Sequence, residues 1–147
     1  METESFVEEE EGEEIALNLA GAGSRLISYL IDWLILVIFS LILVYIEVSA
    51  SYDITVVMIV ASLYLVGSVA YFTYFFGKGQ TVGMMAMKIK LIGADGTYPI
   101  GYGKGFLRLL GMVVSSMVFN LGFIWILIDK KKQGWHDKIA GTYVVNA

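Results

Sequence analysis

Cysteine is missing from this 147-residue chain, which excludes disulfides and thiolate metal sites and leaves the redox compartment open. Histidine occurs once, at His136, so any metal site would have to rest on carboxylates, without the nitrogen and sulfur ligands that usually build one. Next to Asp137, His136 reads as a surface or hydrogen-bonding histidine. Charge is scarce: 16% of residues are Asp, Glu, Lys or Arg, against about 25% in a soluble domain. The basic residues are spread along the edges of apolar stretches with no basic domain among them, which argues against nucleic-acid binding. A nucleophile elbow, an HExxH pair and a G-x-x-x-x-G-K-[ST] phosphate loop are all missing, the last despite a glycine-rich middle. Neither enzymatic activity nor a cofactor is therefore expected.

What is present is apolar length. Hydrophobic residues make up 57% of the chain and mean hydropathy is +0.71. Three runs, 26–46, 54–76 and 106–128, each approach the about 20 residues with which a helix crosses a bilayer's ~30 Å hydrocarbon core. A single soluble core has no use for three such runs, so residues 15–147 read as one small integral membrane domain whose first partner is the lipid bilayer. Residues 1–14 hold eight glutamates and almost nothing apolar. That segment reads as a solvated, disordered acidic tail, and its acidic start is unlike the basic start of a secretory signal.

The first run carries a single charge, Asp32, entered through Arg25 seven residues earlier. Seven residues are nearly two helical turns, so both side chains leave from roughly the same face. A carboxylate about 10 Å inside the membrane costs about 2.5–3.5 kcal/mol unless it meets a partner, water or a proton. Before it, Gly21 and Gly23 allow the entering backbone to bend, and Ser24 is the expected N-cap. Arg25 then falls in the first helical turn, where the helix dipole disfavours a cation, which calls for a specific anionic partner or a lipid phosphate.

Charge around the runs sets the topology. The short 47–53 loop has Glu47 and Asp53 but no Lys or Arg, whereas the 77–105 loop holds Lys78, Lys88, Lys90 and Lys104. The positive-inside rule puts the second loop in the cytoplasm, and with it the N-terminus. The 71–76 stretch (YFTYFF) reads as an interfacial aromatic belt. Residues 87–92 alternate as a strand does, Asp95-Gly96 makes a tight turn, and 97–100 could return as a short partner strand. The 129–147 tail carries four lysines and a β-prone TYVV at 142–145 that could pair with 88–92. Both features favour a tail on the cytoplasmic face. A third run that turns back near Asn120-Leu121-Gly122, broken or re-entrant, is therefore favoured over a straight crossing. The expected fold is an all-α membrane bundle with two clear spanning helices, a third broken segment and a small cytoplasmic β element.

Three pieces, LAGAGSRLISYLIDW, GKGQTVGMMAMKIKLIGADG and KKKQGWHDKIAGTYVV, lie in order over most of 19–145. Together they resemble the RDD family, named for an arginine and two aspartates. The resemblance maps the family arginine to Arg25, the first aspartate to Asp32 and the second to Asp137. Met84, Met85 and Met87 stand where a more basic sequence is expected, and the acidic tail lies outside the pattern. Transport is the role usually suggested for the family.

The residues themselves suggest a polar cluster. Arg25, Asp32 and Asp137, with Arg108 on the same side, would match guanidinium forks to two carboxylates. The favoured reading makes Asp32 a membrane-embedded group that exchanges a proton for a cation in an ion- or proton-coupled transporter; a chain this small would then need to form a homo-oligomer. The other reading is a non-transporting scaffold or assembly partner in which the cluster only fixes helix packing.

Overall fold

A computed structural model of the chain describes residues 18–147; the acidic 1–14 segment lies outside the described residues. Two long helices dominate. Helix α1 covers Ala22–Ser49 and α2 covers Ile54–Lys78. At 1.5 Å per residue they extend about 42 and 38 Å, each enough to cross a ~30 Å hydrocarbon core. The turn between them is stopped by Asp53, whose side chain accepts from the Thr55 and Val56 amides at 2.9 and 3.3 Å. That contact satisfies two of the free donors at the α2 N-terminus. The helices run antiparallel, since Phe39 stacks on Tyr64 at 6.1 Å while Asp32 meets Tyr71. Most of their large apolar side chains, among them Leu30, Leu34, Leu41, Ile59, Leu63 and Leu65, point outward. An exposed apolar surface of that size is what lipid, rather than water, would cover.

Helix α1 begins at Ala22 with Gly21 as its N-cap and no side-chain cap. This corrects the expected Ser24 cap. The preceding segment is tied down, with the Ala20 amide donating to the Val144 carbonyl at 2.9 Å and Leu19 bridged to Val145. The helix therefore starts directly from an anchored, strand-like entry.

The third apolar run is broken. Helix α4 (Tyr102–Met117) and α5 (Leu121–Ile124), which continues as a single 3-10 turn over Trp125–Leu127, meet at 110°. Phe119 and Asn120 both have positive φ at the break. Helix α4 measures about 24 Å, short of a full crossing. Its apolar face (Leu107, Leu110, Val113, Val114, Met117) is exposed, while Arg108, Gly111 and Ser115 face inward. It lies against α2 without spacing side chains: a Cβ on Gly105 would sit 2.7 Å from the Gly77 amide nitrogen.

Between α2 and α4 lie the short α3 (Val82–Ala86) and β1 (Ile89–Gly93). After the break come α6 (Trp135–Ala140) and β2 (Thr142–Asn146). Strands β1 and β2 pair antiparallel with Leu91 opposite Val144, as the alternating pattern and TYVV imply. The 97–100 return strand does not form. The Gly93 amide is taken by the Thr97 carbonyl and Asp95 accepts from Thr97, closing a tight turn in its place. Ala20, Phe76, Met84, Ile89, Leu91, Ile100 and Val144 make a small core at the α1 N-terminal end of the helix pair. The 71–76 aromatics are only partly a belt: Phe76 is in this core and Tyr71 faces α1, while Tyr74 stays exposed.

Candidate functional site: two buried polar centres

Helix α6 is short because the chain reverses at Gly134 and again at Gly141, which takes the left-handed φ of +62°. Its first turn drives Asp137 into the space between α1 and α4. There Asp137, fully buried, forms ion pairs with Arg25 and Arg108 and accepts from the Gly134 amide at 2.8 Å. Arg108 also donates to Thr142 Oγ1 at 3.1 Å and Tyr29 Oη at 3.2 Å, and its guanidinium lies 5.2 Å over the Phe76 ring. Arg25 donates to the Lys132 carbonyl. Helices α1 and α4 thus meet at one carboxylate of α6, and β2 joins through Thr142 on Arg108.

His136 is fully buried here, its ring 4.9 Å from Phe123 and its Nε2 3.1 Å from Tyr29 Oη. Of the expected readings, surface or hydrogen-bonding, the surface one is corrected and the hydrogen-bonding one is what the structure has: α6 turns this face inward. Burial pushes the imidazole pKa down to about 3, with Arg108 and Arg25 opposing a third cation. The ring is therefore neutral and Nε2 accepts from Tyr29, which leaves Nδ1 carrying the proton with no acceptor among the described residues. Burial alone would raise the Asp137 carboxyl, but the two arginines outweigh it and hold it well below the usual carboxylate range. Two guanidiniums against one carboxylate leave this centre with one excess positive charge. The Nε atoms of Arg25 and Arg108 are also buried without an acceptor among the described residues.

Asp32 is not part of that cluster, which corrects the expected Arg25–Asp32–Asp137 grouping. Seven residues place Asp32 about 10 Å farther along α1, level with the start of α3 rather than with α6. Its carboxylate accepts from Tyr71 Oη at 2.9 Å, Thr81 Oγ1 at 2.6 Å and the Gly83 amide at 2.9 Å. Glycine is required at 83 by distance alone, since a Cβ there would fall 2.0 Å from the Ser28 carbonyl oxygen of α1. Thr81 also caps α3 by accepting from the Met84 amide at 3.1 Å.

The expected residues therefore fall into two centres, Arg25 with Arg108 and Asp137 in one, Asp32 in the other. Sequence reasoning missed Tyr29 and Thr142 at the first centre and Tyr71, Thr81 and Gly83 at the second. Tyr29 sits one turn after Arg25 on the same face. The T-x-G spacing at Thr81 and Gly83 was a further signal, a hydroxyl and a bare amide aimed at one acceptor.

An 85-residue stretch, 54% of the chain, is 31% identical to a proline-rich antigen homolog of Mycobacterium tuberculosis and covers 35% of that protein. A 64-residue stretch, 44% of the chain, is 36% identical to the proline-rich antigen of Mycobacterium leprae and covers 26% of it. A 92-residue stretch, 62% of the chain, is 29% identical to an uncharacterized protein of Rickettsia prowazekii and covers 50% of it. The chain thus spans half or less of the length of these curated relatives. No solved structure gives a significant match. The sequence model of the RDD family matches residues 19–141; that span takes in both charge centres, and the chain belongs to the RDD family.

Proposed function

We propose that this RDD domain is a non-transporting membrane assembly module whose two polar centres hold its segments in register. The observation that carries the reading is how fully Asp32 is partnered inside the protein. Three donors, from α2, Thr81 and the Gly83 amide, occupy three of the about four acceptor positions of its carboxylate, and it is 1% exposed. A cation would have to displace those donors, and the cleft beside Arg25 is lined by residues that do not include Asp32. The rival reading, ion- or proton-coupled transport with Asp32 as the titrating group, needs a route to that carboxylate. No catalytic role is part of the proposal.

The cell membrane is the proposed location, with the α1 N-terminus in the cytoplasm. All ten Lys and Arg residues fall at 25, 78–108 or 130–138, while the α1–α2 turn carries only acids; that asymmetry supports the positive-inside assignment. Sodium- and proton-flux measurements in liposomes test the function, comparing wild type with Asp32→Asn. The assembly reading expects no flux from either protein and a loss of thermal stability and partner recovery in the variant. Flux in the wild type that Asp32→Asn abolishes would establish transport instead.

A further inference from the structure

A cleft of about 570 Å³ opens between the first turns of α1 and the broken helix, walled by Arg25, Leu26, Tyr29, Phe123, Ile124 and Leu127. Its long wall is apolar, while its Arg25 end is electropositive for three independent reasons. Arg25, buried behind that end, belongs to a centre with one excess positive charge, and its Nε has no acceptor among the described residues. The N-terminus of α1, whose residues Ala22 and Gly23 line the same end, lacks a side-chain cap. Lys132, whose carbonyl accepts from Arg25, lies with Lys130 and Lys131 in an exposed loop, and none of the three forms an ion pair among the described residues.

An apolar trough ending in a cationic, donor-rich head fits an amphiphile with one anionic headgroup. We propose that this cleft holds one anionic phospholipid. Its phosphate lies at the α1 N-terminus over the buried charge of Arg25, with Lys130, Lys131 and Lys132 in the loop that Arg25 holds through the Lys132 carbonyl, and one acyl chain runs along Leu26, Phe123 and Leu127. Helix N-termini and basic pockets between membrane helices both favour phosphate, and the apolar wall adds burial that a free phosphate cannot gain. The site is independent of whether the chain transports. It also gives the excess charge of the Arg25–Arg108–Asp137 centre a counter-ion.

Native mass spectrometry of the full chain, released from detergent carrying equal phosphatidylglycerol and phosphatidylcholine, tests the site. Arg25 is too embedded to substitute safely, but a Cβ on Gly23 meets nothing within 4 Å. Gly23→Trp therefore fills the cleft from an open position without disturbing the buried centre. The expected result is one retained phosphatidylglycerol with at least about tenfold preference over phosphatidylcholine, a free-energy difference of about 1.4 kcal/mol. Gly23→Trp loses that preference, and replacing Lys130, Lys131 and Lys132 with Gln weakens it several-fold. Equal retention of the two lipids, no retained lipid, or a Gly23→Trp protein that keeps the preference overturns the proposal. So does displacement of the lipid by millimolar inorganic phosphate, which would mark a plain anion site, or a lipid-independent dimer that Gly23→Trp breaks, which would assign the cleft to a second copy.

Discussion

At the scale of single residues, burial decides what each charge can do. His136 is neutral because burial penalises its charged form, with Arg108 and Arg25 adding to the effect, and its folded pKa lies at about 3 against ~6.5 in an unfolded chain. The unfolded chain then takes up a proton below pH ~6.5 that the folded protein refuses. This part of the stability is complete above that pH and is lost as pH falls toward the folded value, by about 2 kcal/mol at pH 5. Thermal unfolding in detergent from pH 7.5 to 5 reads the effect directly. Wild type loses stability across that range, whereas His136→Gln starts lower but stays nearly flat. Asp137 contributes its own loss only at lower pH, because its carboxyl is depressed rather than raised and must be protonated to matter. Asp32 behaves differently, since its partners are neutral donors. Asp32→Asn keeps the shape but turns an acceptor into a donor facing the Tyr71, Thr81 and Gly83 donors. A destabilisation of about 2–3 kcal/mol is expected, measurable as a lower thermal midpoint at pH 7.5.

At the scale of elements, the bend between α4 and α5 rests on two residues, Phe119 and Asn120, at φ of 50° and 57°. Asparagine tolerates the left-handed region through local hydrogen bonding, whereas a β-branched residue there costs about 1–2 kcal/mol. Asn120→Val is therefore expected to lower the thermal midpoint, and Asn120→Gly to leave it unchanged or raise it. Equal midpoints for the two variants would show that the bend is imposed by packing rather than by the backbone preference at 120. This break was legible in the sequence because Asn-Leu-Gly interrupts an apolar run whose far end is too basic to lie outside. The β1–β2 pairing was legible for a similar reason, as K-I-K-L alternates and TYVV has no other partner. The capture of Asp32 by α3 was not. It depends on the Gly83 backbone touching α1 at the Ser28 carbonyl, a contact between segments more than fifty residues apart. A heptad of spacing within α1 gave the face of Arg25 and Asp32 correctly, but could not say that different elements would meet them at different heights.

At the scale of the whole molecule, the two long helices, the bent third segment and the strand pair share one geometric condition. Residues 18–20, β1 and β2 are hydrogen-bonded together, with the Ala20 amide on Val144 and the Ala147 amide on the Lys88 carbonyl. The N-terminal entry, the 77–105 loop and the 129–147 tail must therefore lie on one side of any membrane crossed by α1 and α2. The α1–α2 turn, one helix length from the entry along α1 and one from the 77–105 loop along α2, lies on the other. The lack of cysteine makes this directly measurable with single cysteines placed at Ser51, Gly96 and Ala147. In intact cells an impermeant maleimide is expected to label Ser51→Cys, while Gly96→Cys and Ala147→Cys react only after permeabilisation. Gly96 takes a φ of +78°, so a cysteine there is strained; Asp95→Cys, on the same exposed turn, serves as its check. Were Ala147→Cys to label together with Ser51→Cys, the strand pair would have to be split across the bilayer. That would break every β1–β2 hydrogen bond and the Ala20–Val144 tie, and so overturn the strand pairing itself.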